Sequence, residues 1–310
     1  MLPPDVLVHL RSRLPAAPVT RFAPAPTGFL HLGHVVNAIH VWGVARALGG
    51  RVLLRVEDHD RQRCRPEYEA ALLDDLDWLG FAPDVYPTTA FRAGTCEGRQ
   101  SDRDAHYRRA VEHLRTQSVV YGCACTRREI EAAGGGPMAE ELRYPGTCRD
   151  RGLPLDDAHG WRVRLPDTLV TFDDARHGAT TQTPAAQCGD LLLRDRLGNW
   201  TYQFAVTVDD IAHGIDLVVR GDDLFTSTGR QLQFARLLGR DTPPVFLHHA
   251  LVMKSPTQKL SKSDGDTGVR DLRAAGWSAA RVIGHAAHLA GLVASGHDID
   301  AVDVGDLFRR

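Results

Sequence analysis

The stretch from residue 19 to residue 57 limits the possible folds more than any other part of the chain. Val19–Phe22 reads as a short strand, and the turn-rich run Ala23-Pro24-Ala25-Pro26-Thr27-Gly28 follows it. From about His31 the apolar residues Val35, Val36, Ile39, Trp42, Val44 and Leu48 recur at helical spacing until Gly49-Gly50 ends the run. Residues 51–57 are strand-like again. Pro66 then opens a second helix carrying Leu72, Leu73, Leu76 and Leu79, which Gly80 stops. Strands separated by whole helices cannot pair as hairpins, so this order implies an α/β fold with a parallel sheet covered on both faces.

The alternation is interrupted once. Ser101 with Asp104 can cap a helix bearing Tyr107, Val111 and Leu114, and Thr126 with Glu129 has the capping-box spacing. Residues 161–165, 169–172 and 191–194 are then short β-like runs with turns, which read as an insertion in the parallel sheet. Strand and helix resume at residues 217–220, 229–238 and 245–252. After Arg270 the apolar Leu272, Val282, Ile283, Ala286 and Leu289 suggest two small helices. The expected organisation is a catalytic domain in two halves, 1–115 and 201–265, around an insertion at 116–200, with a helical region at 266–310.

Composition excludes several classes. No apolar run approaches the about 20 residues that span a bilayer. The N-terminus lacks a basic region followed by an apolar one, so a cytoplasmic protein is expected. The cysteines Cys64, Cys96, Cys123, Cys125, Cys148 and Cys188 therefore read as thiols or metal ligands. A net charge of −2 gives no global attraction to nucleic acid, so any RNA contact would use a local arginine patch.

Two stretches carry chemistry. Thr27-Gly28-Phe29-Leu30-His31-Leu32-Gly33-His34 stands where a strand gives way to a helix. Its glycines let backbone approach a ligand, and a helix N-terminus offers free N–H groups to a phosphate. His31 and His34 can donate to a phosphorus centre as its charge develops. A metal pair or an ordinary surface pair are the alternatives for them. The second stretch, Lys259-Leu260-Ser261-Lys262-Ser263, lies about 225 residues later. All three lysines of the chain fall within nine residues, Lys259 and Lys262 inside this stretch and Lys254 just outside it, against thirty-four arginines elsewhere. An ammonium is a point charge on a flexible stem, suited to reaching phosphate.

Together the HxGH turn and the KLSKS loop resemble the paired signature of class I aminoacyl-tRNA synthetases. Arg21-Phe22-Ala23-Pro24-Ala25-Pro26-Thr27-Gly28, Arg55-Val56-Glu57-Asp58, Tyr202-Gln203-Phe204-Ala205-Val206 and Arg220-Gly221-Asp222-Asp223-Leu224 are similar to the glutamate-specific branch. Only 47 residues follow Ser263, so no separate anticodon-binding domain is expected. That short architecture resembles the glutamyl-queuosine tRNA(Asp) synthetase family.

The resemblance implies a Rossmann-like catalytic domain with a zinc-containing α+β insertion. It also implies activation of L-glutamate by ATP without tRNA, then transfer to queuosine at the wobble position of tRNA(Asp). Arg21, Phe22, Ala23, Pro24, Ala25, Glu57, Tyr202 and Arg220 would hold glutamate. Thr27, Gly28, His31, Gly33, His34 and Lys262 would hold ATP with its Mg²⁺. His31, His34, Lys259 and Lys262 would be catalytic. Cys123, Cys125, Tyr144 and Cys148 match the family's site for one structural Zn²⁺. Read as residues alone, buried thiols without a metal are the alternative, and a structural ion is the preferred reading because it would hold the insertion around its glycine run. A monomer is expected. Charging of the 3′ end of tRNA(Glu), or another HxGH nucleotidyltransferase activity, are the competing readings.

Overall fold

The computed structural model describes residues 4–134, 142–255, 258–259 and 268–309. Its strands are β1 (Val19–Phe22), β2 (Arg51–Leu54), β3 (Val120–Cys123), β4 (Gly160–Val163), β5 (Val170–Asp174) and β6 (Gly178–Gln182). They continue as β7 (Leu191–Arg194), β8 (Leu217–Gly221), β9 (Val245–His249), β10 (Met253–Ser255) and β11 (Gln258–Lys259). β1 runs parallel to β2 with Phe22 opposite Leu54, and β8 runs parallel to β9 with Leu217 opposite Val245. Asp216 N donates to Val19 O at 2.9 Å and sets β8 beside β1. The strands are buried on both faces, as parallel strands covered by helices must be.

β3, β4 and β7 form a separate antiparallel sheet within the stretch read as an insertion. The run at 169–172 does not belong to it. Its strand β5 instead lies parallel to β9, with Asp174 opposite Phe246, and β6 returns antiparallel at the sheet edge. Burial explains the difference. Val170 and Phe172 pack with Leu232 and Phe246 in the main sheet's own apolar cluster.

The helix predicted from His31 spans Leu32–Leu48 and ends at Gly49, in the left-handed conformation at φ 71°. It is buried on nearly every side. At Gly43 an added Cβ would stand 2.1 Å from the Phe308 ring, so only glycine allows this approach. The second predicted helix spans Pro66–Leu79, with Gly80 at φ 82°. The Thr126–Glu129 capping box forms, with Thr126 N donating to Glu129 Oε2 at 2.6 Å. The Ser101–Asp104 cap does not. Ser101 N donates to Asp58 instead, and Asp104 accepts from Trp200 Nε1. One apolar cluster runs from Val6 to Phe308. A second joins the insertion sheet to the helix Tyr202–Ala212. Among the described residues no helix is long and apolar enough to cross a membrane.

Candidate active site

A cavity of about 600 Å³ opens at the C-terminal ends of β1 and β8, where parallel sheets commonly bind ligands. Residues 21–25 form one wall. His31, Gly33 and His34 form another, and Glu57, Tyr202 and Arg220 close it. Eleven of the predicted site residues therefore share one space. Thr27 and Gly28 stand outside its described wall.

At the helix start, His31 is the N-cap and His34 the third helical residue. Gly33 N donates to His31 Nδ1 at 3.1 Å, and His31 N donates to His34 Nδ1 at 3.2 Å. This is a capping box built from two imidazoles, with ring centres 4.0 Å apart. Because both Nδ1 atoms accept, each neutral ring carries its proton on Nε2, the tautomer that can donate to an anion. No acidic side chain occupies the first turn, so the positive end of the helix dipole is not neutralised there.

Arg21, Glu57 and Arg220 of the cavity wall belong to a buried charge cluster that also contains Arg55 and Asp210. Arg55, fully enclosed, donates to Glu57 Oε1 at 2.8 Å and to Asp210 Oδ1 at 2.6 Å. Arg21 reaches the same Asp210 oxygen at 3.2 Å. Burial alone would raise the Asp210 carboxyl, but Arg55 and Arg21 outweigh it and hold it below the usual range. Arg220 is also buried, yet its partners are the neutral His248 Nε2, Gln231 Oε1, Thr228 Oγ1 and Leu224 O. Burial, with Arg21 nearby, lowers the Arg220 guanidinium from its ordinary value. Burial beside Glu57 pushes the Tyr202 phenol up, so it stays a neutral hydroxyl.

Among the described residues Arg21 and Arg55 pair directly with Glu57 and Asp210, and Arg220 makes its contacts to neutral acceptors. An amino acid with two carboxylates and one ammonium carries the complementary net negative charge.

Sequence reasoning missed Asp210 and left Arg55 without a role. The available signal was an Asp209-Asp210 doublet on an otherwise apolar helix. Asp209 turns away from the cavity to Arg103, Gln100 and Tyr107.

Of the KLSKS stretch, only the Lys259 backbone is described, opposite Met253 in the β10–β11 hairpin. Lys262, with Leu260, Ser261 and Ser263, lies outside the described residues. Both flanks lead to the cavity. Val252 is in its wall, and Gly268 pairs with His31, Val269 N donating to Leu30 O at 2.9 Å.

Cys123, Cys125 and Cys148 come together in the insertion, their sulfurs all within 4.8 Å of one another. The Cys125 and Cys148 sulfurs are 3.5 Å apart, and Tyr144 Oη lies 3.4 Å from Cys123 Sγ and 4.0 Å from Cys125 Sγ. Ligand atoms around a tetrahedral ion with bonds of about 2.3 Å lie about 3.8 Å apart, so the group could hold a metal ion. Burial and the neighbouring Cys148 push the Cys125 thiol up to about 11. At Cys148 burial is outweighed by hydrogen bonds from Ala124 N–H and its neighbours, which bring the thiol to about 7. Arg162 stacks 3.7 Å over the Tyr144 ring and donates to Cys123 Sγ at 3.3 Å, adding positive charge beside the sulfurs. Among the described residues Cys64, Cys96 and Cys188 join no such group.

The sequence matches the family described as tRNA synthetases class I (E and Q), catalytic domain, over residues 18–296. The Glutamyl-Q tRNA(Asp) synthetase of Burkholderia cenocepacia is 44% identical over 91% of this chain and 92% of its own. That of Nitratidesulfovibrio vulgaris is 40% identical over 88% and 86%. The crystal structure of a glutamate tRNA ligase from Elizabethkingia meningosepticum in complex with its amino acid superposes with a TM-score of 0.74 at 26% identity. The match covers 95% of this chain and 64% of that longer one. The chain thus belongs to the class I tRNA synthetases of the E and Q group and, within them, to the glutamyl-Q tRNA(Asp) synthetases.

Proposed function

We propose that this cavity activates L-glutamate with ATP, without tRNA, and that the glutamyl-adenylate then esterifies queuosine at the wobble position of tRNA(Asp). The observation that carries the reading is the buried cluster of Arg21, Arg55 and Arg220 with Glu57 and Asp210, whose charge balance suits a dicarboxylic amino acid. Arg21 and Arg220 read the two carboxylates, Glu57 takes the ammonium, and Tyr202 lines the side-chain pocket. Residues 22–25 shape the wall against the amino acid. The α-carboxylate oxygen attacks the α-phosphorus of ATP and the bond to pyrophosphate breaks. His31 and His34 donate from Nε2 to the charge that develops, while Thr27, Gly28 and Gly33 carry the nucleotide at the helix start. Lys259 and Lys262 complete the phosphate contacts from the KLSKS loop, and Mg²⁺ accompanies ATP. A hydroxyl of the acceptor nucleoside then attacks the activated carbonyl and releases AMP.

Cys123, Cys125, Cys148 and Tyr144 hold one structural Zn²⁺, which ties the insertion together. Three sulfurs within 4.8 Å of one another, with the Tyr144 oxygen 3.4 Å from Cys123 Sγ, support that assignment.

Pyrophosphate exchange tests the first step and nuclease mapping the second. Glutamate, and not glutamine, should support ATP–pyrophosphate exchange in the absence of tRNA. Labelled glutamate should map to the anticodon loop of tRNA(Asp) from queuosine-containing cells. Exchange that requires tRNA, or label at the acceptor end, would overturn the reading.

A further inference from the structure

Arg220 differs from Arg21 and Arg55, the other two arginines of the charge cluster at the cavity, in how its charge is met. Arg21 and Arg55 touch carboxylates directly, and both reach Asp210. Arg220 has four of its five N–H groups on neutral acceptors: Nε on His248 Nε2 at 2.9 Å, Nη1 on Gln231 at 2.7 Å, and Nη2 on Thr228 at 2.9 Å and Leu224 O at 3.3 Å. Behind His248 stands a carboxylate. His248 Nδ1 lies 2.7 Å from Asp174 Oδ2, and both side chains are wholly shielded from solvent. Asp174 is itself fixed, accepting from Arg176 N and His177 N at 3.0 Å each and from His248 N at 3.2 Å. The imidazole is held parallel to the Phe246 ring and edge-on to Phe225. With Nδ1–H donating to Asp174, only Nε2 is left to accept from Arg220, so the ring is neutral and its tautomer is set.

We infer that Asp174 and His248 form a positioning relay that fixes Arg220 for one carboxylate of the substrate while keeping the carboxylates of the described residues out of its fork. A carboxylate bonded directly to Arg220 would neutralise the buried cation and compete with the ligand. Set one imidazole behind, Asp174 offsets the cost of burying the guanidinium and leaves one Nη1–H with no partner among the described residues. Neither relay residue lines the cavity, so both act through Arg220. Arg220 lies on β8, His248 on β9 and Asp174 on β5. The relay thus crosses three parallel strands at the sheet's C-terminal ends.

The inference rests on reading the cavity as the glutamate site, and the two can fail separately. In tRNA-free, glutamate-dependent pyrophosphate exchange, Asp174→Asn keeps an acceptor oxygen on Nδ1 but removes the charge, and His248→Ala removes the ring. Each should raise the KM for glutamate by roughly 10- to 100-fold, the loss expected when a hydrogen bond to a charged group is disrupted. The KM for ATP should stay within about twofold. His248→Gln, whose amide oxygen can accept from Arg220, should recover part of the loss. A residue that merely supports folding would lower kcat and the melting temperature and leave the two KM values alike. The relay is wrong if the glutamate KM of either folded variant is unmoved, or if both KM values rise together. If the wild-type protein shows no glutamate-dependent exchange, the glutamate reading falls first and takes the relay with it.

Discussion

Gly33 shows how tightly single residues are bound to the chemistry. A Cβ at this position would stand 2.9 Å from His31 Cε1 and 3.0 Å from Nδ1, so alanine must push the ring off its cap. Gly33 sits in the first helical turn, where alanine is the better helix former by about 1 kcal/mol. Stability and activity should therefore separate in Gly33→Ala. The melting temperature should change little, because the lost cap offsets the gain in helix propensity, while kcat/KM for exchange falls by roughly 10- to 100-fold, as for other small displacements of catalytic groups. A variant that melts early and loses activity in proportion would show that the glycine serves only the fold. Legibility also divides at this scale. Arg21, His31, His34, Glu57, Tyr202 and Arg220 sit in short contiguous motifs, and the cavity gathers all six. Asp210, His248 and Asp174 have no motif. They matter through a partner far away in the chain, such as Asp174 with His248 at a separation of 74 residues, and local spacing carries no record of that.

Among the elements, those whose signals are local were readable. Gly49 and Gly80 stop their helices in the left-handed conformation, and Pro66 opens one. β5 was misread because its alternation fits any half-buried sheet, and its partner β9 comes some 70 residues later. Around the cysteines, Tyr121, Cys123, Ile130, Tyr144 and Cys148 form a small apolar cluster separate from the one that joins β4 and β7 to the helix Tyr202–Ala212, too few side chains to hold the loop carrying Tyr144 and Cys148 unaided. At Gly189, φ 68°, a Cβ would stand 2.0 Å from Tyr144 O, so the backbone that carries the tyrosine is packed without clearance. A bound ion should therefore matter to stability. Elemental analysis of the purified protein should give about one zinc per chain, and stripping it with a strong chelator should lower the melting temperature by at least about 5 °C. Cys148→Ser should arrive with little metal and melt at the stripped value. Absence of metal from the wild type, with no response to chelator, would leave the cysteines as buried thiols.

At the scale of the molecule, one apolar cluster ties the first described helix, Pro4–Arg13, to Phe308, so the two ends of the chain share a core. Asp75 lies in that body on the helix Pro66–Leu79. It is 2% exposed, and its Oδ2 has no hydrogen-bond partner. Burial pushes its carboxyl up to about 6, although Arg270 and Arg273 pull the other way. Arg270 and Arg273 belong to the helix Val269–Ala274, so this one charge couples the first half of the chain to its last helices. A carboxyl raised on folding binds its proton more tightly in the native state. Stability therefore falls as pH rises from the unfolded value near 4 through about 6, and the full cost is present above that. Asp75→Asn removes the charge without changing the shape. It should stabilise the protein by about 1–3 kcal/mol at pH 8, and by roughly half as much at pH 5. Paired urea titrations at the two pH values measure both quantities. An equal gain at both would mean that the benefit came from packing, and a loss at pH 8 would mean that Arg270 and Arg273 already neutralise the carboxylate.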